Sequence, residues 1–235
     1  MATWCANLLP AALFAGLLSG TPATAETPGV SVLRETFAVG TEGRAVGAAL
    51  TGQAIESGEG KWAATKSIVF AEGSVTVNDV KTGAAELPLV PVAGTIHVLA
   101  EMKVAGAAYS CLALGQNNLS GDFWRRVQLL VMLRGNGAYT VLADGTKHRL
   151  AAGNADAFRA DGFHTVEMEL STIHNTLTVK INGSTVLNAG DLSGQGFTPS
   201  GIRAAGFLFN GPIEPNVPAV RKLVVTMTTE ASSGL

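Results

Sequence analysis

From Thr95 to Val104 the chain alternates without a break, with Ile96, Val98, Ala100, Met102 and Val104 on one side and Thr95, His97, Leu99, Glu101 and Lys103 on the other. Residues that repeat every second position share one face of a β-strand, whereas an α-helix would scatter them around its axis. The pattern recurs in Asn175–Ile181, where Leu177, Val179 and Ile181 point inward, and in Arg221–Met227, where Leu223, Val225 and Met227 do. Val127–Leu133 is apolar on one face, while Arg126, Gln128 and Arg134 share the other with Leu130 and Met132. No segment after Glu26 has apolar residues at helical spacing. The turns agree with this reading. Asp144-Gly145 and Asn182-Gly183 each separate two such runs and suit the positive-φ positions of a two-residue hairpin, and Gly135-Asn136-Gly137 predicts a third hairpin. Strands at this spacing, each with one apolar face, predict an all-β, two-sheet antiparallel sandwich rather than a βαβ fold.

Composition narrows the class further. Glycine supplies 28 of 235 residues without a three-residue period, which excludes collagen, and 47% of residues are hydrophobic, which excludes intrinsic disorder. A formal charge of −2 leaves no electrostatic footprint for nucleic acid or an anionic membrane. Much of the glycine falls in Val39–Gly60, which alternates too little for a strand and is expected to wrap the sandwich as a surface loop, with Trp62 pinning its end in the core.

At the N-terminus, Leu8–Leu18 is an apolar run of signal-peptide length followed by Ala23-Thr24-Ala25, which predicts a leader over 1–25 cleaved after Ala25 and a secreted or periplasmic product. Such a run is too short to span a bilayer, so the mature chain is expected to have no membrane span. Residues 26–31 and 230–235 read as loose ends around one domain over 32–229. With Cys5 in the leader, Cys111 stands alone in an apolar strand and reads as a small buried hydrophobe.

Several motifs occur in a telling order: Glu35-Thr36-Phe37, then Gly47-Ala48-Ala49-Leu50-Thr51-Gly52, then Gly60-Lys61-Trp62, and late in the chain Gly162-Phe163-His164-Thr165-Val166, Leu177–Gly183 and a last strand over 220–226. In this the chain resembles the concanavalin A-like lectin/glucanase superfamily, and within it the laminin-G-like jelly rolls of secreted bacterial proteins. The resemblance implies a jelly-roll sandwich in which an aromatic-His-x-Val strand precedes a hairpin ending in Asn-Gly, and in which the last strand pairs beside the first. It also implies a structural, backbone-bonded role for His164, and it allows one calcium ion at the sandwich rim. Asp122 and Asp144 are the loop carboxylates that could contribute to such an ion, but the chain has six aspartates and no cluster of them. No other cofactor is expected.

Candidate chemistry is sparse. Glu167 and Glu169 share a strand face, but the glucanases that this chain resembles carry a longer acidic run in a different strand, so the pair reads as a solvated strand face. A polar row formed by His97, Glu101 and Lys103, with Tyr109 on the next strand and Arg126 and Gln128 on a third, is the best candidate for a glycan groove. Trp124 is the one plausible exposed stacking ring. His148 and His174 read as exposed turn residues. No residue is assigned a catalytic role.

The leading expectation is therefore a secreted, non-catalytic jelly-roll domain that binds a glycan or another cell-surface component. The alternatives are a polysaccharide lyase or glycoside hydrolase working through His97, Tyr109, Arg126 and Gln128, and a structural or assembly module without a small ligand. Oligomeric state is left open.

Overall fold

A computed structural model describes residues 29–41, 43–78, 82–104, 109–116, 126–196, 198–210 and 217–230. These residues form fifteen strands and one short 3-10 turn, Pro199–Gly201. The strands are β1 (Val30–Glu35), β2 (Ala63–Ala64), β3 (Ile68–Ala71), β4 (Ser74–Val77), β5 (Thr82–Pro88), β6 (Gly94–Lys103), β7 (Tyr109–Gly115), β8 (Val127–Arg134), β9 (Ala138–Ala143), β10 (His148–Asn154), β11 (His164–Ser171), β12 (Thr176–Ile181), β13 (Ser184–Asp191), β14 (Ala204–Asn210) and β15 (Ala219–Thr229).

They form two antiparallel sheets. One runs β13-β12-β11-β6-β15-β4-β3 with β1 also paired to β15, and the other runs β10-β9-β8-β7-β14-β5-β2. The first and last strands pair from Val30↔Thr228 to Glu35↔Leu223, as the jelly-roll reading expects. Pairing reaches slightly beyond the expected domain limits: β1 starts at Val30, and Glu230 donates its backbone N–H to the Ala93 carbonyl. Backbone groups at both ends need partners, and the facing strands supply them.

The alternating residues of β6, β11, β12 and β15 point at the inward residues of β5, β7, β8, β9 and β14, and Ile96, Val98, Met168, Val179, Leu112, Leu129 and Phe207 belong to one buried cluster. Each such side chain contributes roughly 1.5–3 kcal/mol by leaving water. Trp62 joins this core as expected and packs 5.6 Å from both Phe37 and Phe207.

The two hairpin turns differ. Ile181 pairs directly with Ser184, so Asn182 and Gly183 (φ 51° and 81°) form the expected two-residue connection. At the other, Ala143 pairs with His148, so the turn takes four residues rather than two, and Lys147 donates to the Asp144 carbonyl inside it.

The glycine-rich segment forms no strand, but it is more than a surface wrap. Its Leu50 is fully buried, as is Phe37 just before it, and the segment closes two strand edges. Gly47 and Leu50 donate to the carbonyls of Phe70 and Ile68 on β3, and Ser57 exchanges two hydrogen bonds with Arg34 on β1. Covering these edges removes the unpaired backbone that invites aggregation.

Inside this wrap sits a buried ion pair. Arg44 Nη1 and Nη2 meet Glu35 Oε1 and Oε2 at 2.8 and 2.9 Å in a bidentate fork. Glu35 also accepts from the Phe37 backbone and from Trp62 Nε1, while Arg44 donates to the Ala54 carbonyl. Phe37 has a φ of 55°, unusual for an aromatic residue, and the bond to Glu35 holds it there.

Candidate functional site

The outer faces of the two sheets differ most at their centres. On the seven-stranded sheet the outward residues Ala84, Cys111, Ala113, Leu130, Met132, Leu142 and Leu208 form a second buried apolar cluster. Cys111 has no exposure, and burial pushes its thiol far above the ordinary value against the opposing charge of Arg134. It is an inert hydrophobe rather than a nucleophile.

On the eight-stranded sheet the outward residues are polar. In register, Glu169 faces His97 on one side and Thr178 on the other, and Glu167 faces Lys180. The His97 imidazole lies 3.4 Å from the second carboxylate, Glu167. With Thr185 and Asn188 from β13, these residues line an open trough of about 270 Å³. Glu169 is exposed, as expected of a solvated strand face, whereas the Glu167 side chain is 23% exposed and engages His97.

Further along β6 the same face changes character. The β15 register shifts between Val220 and Lys222, and this bulge lets Arg221 and Lys222 both face Glu101. Arg221 Nε donates to Glu101 Oε2 at 2.5 Å, and Lys222 Nζ lies 3.5 Å from Oε1. Burial by itself would raise the Glu101 carboxyl, but the Arg221 hydrogen bond and charge, followed by Lys222, outweigh it and hold the group below its ordinary value. The Arg221 guanidinium also lies 4.4 Å over the Phe163 ring. Lys103 stands beside this cluster, on a pocket of about 620 Å³.

The structure thus divides the sequence-predicted groove. His97, Glu101 and Lys103 share one outer face, whereas Tyr109 and Gln128 lie on β7 and β8 of the opposite sheet, and Arg126 immediately precedes β8. Consecutive strands of a sandwich can change sheets, and alternation within each strand does not reveal the change. A lyase or hydrolase centre built jointly from His97, Tyr109, Arg126 and Gln128 is not formed. Tyr109 bonds Asn210 and carries the Arg134 guanidinium 5.9 Å over its ring, Arg126 is exposed, and Gln128 is half-buried.

Trp124 and Asp122 lie outside the described residues. Asp144 sits in the β9–β10 turn and pairs with Lys147 at 2.8 Å. Among the described residues no group of three or more His, Cys, Asp or Glu is placed to hold a metal ion. Among them, too, no helix is long and apolar enough to cross a membrane.

His148 and His174 are exposed, as expected, and His164 is structural. His164 Nε2 bonds the Arg159 carbonyl at 2.8 Å, which assigns the proton to Nε2 and leaves Nδ1 to accept from Asn182 Nδ2 at 3.2 Å. The ring stacks on Phe158 at 4.5 Å. Asn182 also donates to the Asp156 carbonyl and accepts from the Thr165 backbone. One asparagine therefore turns the hairpin and locks the histidine of the preceding strand, a physical reason for the two motifs to occur together.

Neither a family model nor a curated protein matches the sequence. Solved structures do match its fold. The Emp47p carbohydrate recognition domain superposes with a TM-score of 0.57 at 11% identity, covering 90% of this chain and all of that one. The potassium-bound Emp46p carbohydrate recognition domain gives 0.55 at 15% identity over 70% of this chain and 87% of its own. An endo-1,3-β-glucanase from Streptomyces sioyaensis gives 0.54 at 16% identity, covering 88% of this chain and 99% of that one. With its two antiparallel sheets and its first strand paired to its last, the chain has a jelly-roll fold, the one that these carbohydrate recognition domains and this glucanase share.

Proposed function

We propose that this chain is a non-catalytic glycan-binding sandwich whose ligand lies along the polar outer face of the eight-stranded sheet. The observation that carries the reading is the trough. It offers two carboxylates, an imidazole, an ammonium, two hydroxyls and an amide within one open depression, a mixed set of donors and acceptors that complements a polyol. The fold is one on which solved carbohydrate recognition domains are built, and this supports the reading by analogy. The centre of the opposite outer face is instead a buried apolar cluster.

The test is calorimetric titration of the purified protein with a panel of soluble oligosaccharides, with product analysis on the same samples. At least one glycan is expected to bind intact, and Glu169→Gln and Lys180→Ala are each expected to weaken it about ten-fold or more, the cost of a lost charge-assisted hydrogen bond. Failure of every glycan, affinity indifferent to both substitutions, or cleaved product would overturn the proposal.

The same reading includes export, with the leader removed after Ala25. Protein recovered from the periplasm or medium of an expressing bacterium is expected to begin at Glu26 on N-terminal sequencing; an intact Met1 terminus in the cytoplasm would refute export.

A further inference from the structure

The pocket at the far end of β6 differs from the trough in charge. Its polar lining includes Lys103, Arg221, Thr76 and Glu72, with Phe163 and Val217 as apolar walls. Glu101 already faces both Arg221 and Lys222. Counting Glu72 and Glu101 against the three cations, the cluster keeps one positive charge in a chain whose formal charge is −2.

Arg221 is also pre-organised. Its Nε donates to Glu101 and its Cζ lies 4.4 Å over the Phe163 ring, so these two contacts restrict the rotamers of a side chain that is otherwise half exposed at 51%. Among the described residues its Nη groups bond nothing, and the fork they form matches a carboxylate or sulfate in two parallel hydrogen bonds. The cavity, about 620 Å³, lies within the range of small-ligand sites, roughly 300–1,000 Å³. The β15 bulge that aims Arg221 here is a common device for directing a side chain at a ligand.

We infer that this pocket is an anion subsite that takes the carboxylate or sulfate of an acidic sugar residue, with Arg221 gripping the acid group and Lys103 supplying the second charge. The inference rests on the glycan-binding reading and narrows it to acidic glycans. Lys103 and His97 are six residues apart on one strand face, about 20 Å at ~3.3 Å per residue, so a single extended saccharide can engage the pocket and the trough together.

The experiment titrates the full chain with oligogalacturonate (carboxylated), dextran sulfate (sulfated) and dextran (neutral), at low and high salt. One acidic probe is expected to bind at least about ten-fold tighter than dextran and to weaken as salt rises. Arg221→Gln is expected to lose about ten- to hundred-fold for that probe, with dextran binding unchanged. Lys103→Gln, which leaves the Arg221–Glu101 contact intact, is expected to lose several-fold, and Lys147→Gln, in the β9–β10 turn of the other sheet, nothing. Thermal melts of each variant separate lost binding from lost folding. Equal affinity for acidic and neutral probes, or acidic affinity untouched in both Arg221→Gln and Lys103→Gln, overturns the anion subsite and leaves the glycan-binding reading standing. Binding of none of the three probes also overturns the anion subsite, while the glycan-binding reading is decided separately by the wider oligosaccharide panel.

Discussion

Arg44→Met is expected to destabilise the protein by about 3–5 kcal/mol, the usual cost of removing one partner from a buried ion pair. The Glu35 side chain has no solvent exposure and that of Arg44 only 8%, so the substitution leaves a carboxylate in the core without its counter-charge. The carboxylate cannot simply turn to water, because Phe37 N–H and Trp62 Nε1 hold it in place. The loss should spread, since Arg44 also ties the wrap to itself at Ala54 and at Glu56, 3.4 Å away. The double variant Glu35→Gln/Arg44→Met is expected to recover a large part of the loss, because it removes the stranded charge and keeps an acceptor for Phe37 or Trp62. Guanidinium unfolding of the two single variants and the double variant at neutral pH measures this; a loss below about 1 kcal/mol in Arg44→Met would show that the pair contributes little.

The pair also shapes the acid response. Burial alone would raise the Glu56 carboxyl, but hydrogen bonds from the Thr36 hydroxyl and the Thr36 and Ala38 amides, together with the Arg44 charge, bring it below 4.5. A carboxylate whose folded value is depressed stabilises the fold above its unfolded value, and that contribution is lost as pH falls through the folded one. Wild-type stability is thus expected to decline as pH drops below about 4.5, and the part due to Glu56 should be smaller in Arg44→Met.

Fold class was legible because its signal is local. The ten-residue alternation of β6 reports which side chains share a face, and Asn182-Gly183 reports a tight turn, both within a few residues of sequence. The β9–β10 turn was less legible, because Asp144-Gly145 also fits a four-residue loop. The candidate site was half legible. His97, Glu101 and Lys103 do share a face, but nothing in their alternation says that β7 and β8 belong to the other layer. Strands β7 and β8 bury both faces, so Leu130 and Met132 beside Gln128 were the trace of a second apolar cluster rather than of a groove. Arg221 and Lys222 were hidden by the bulge, which breaks the period-two rule that assigns neighbouring residues to opposite faces. The Glu35–Arg44–Trp62 assembly was hidden for another reason. Its members meet across a loop without periodicity, and only their joint burial shows that they belong together.

The largest effect outside that assembly is expected at Gly206. It lies in β14, a central strand flanked by β5 and β7, and pairs with Glu86 on one side and Ala113 on the other. A Cβ added at this position would stand 2.0 Å from the Ala85 carbonyl oxygen and 2.8 Å from the Glu86 Cα. Both obstacles are backbone, so no rotamer change can relieve them. Either β5 must move away, breaking ladder hydrogen bonds from Thr82 to Pro88, or β14 must move against β7, disturbing its ladder from Tyr109 to Gly115. Ordinary overpacking costs about 1–3 kcal/mol, and a clash with fixed backbone in the middle of a sheet should exceed it, so Gly206→Ala is expected to cost at least about 4 kcal/mol. Gly201→Ala is the control: nothing lies within 4 Å of its added methyl, and a change within about 0.5 kcal/mol is expected. Chemical denaturation of the two variants beside wild type decides the matter, and a Gly206→Ala protein within 1 kcal/mol of wild type would mean that β5 and β14 are not packed this closely. The same close approach bears on function. If β14 and β5 separate, the apolar outer cluster loses its Leu208–Ala84 neighbours first, while the polar face on the other sheet keeps its strands. Glycan binding by whatever fraction of Gly206→Ala remains folded is therefore expected to match wild type in affinity, with stability alone reduced.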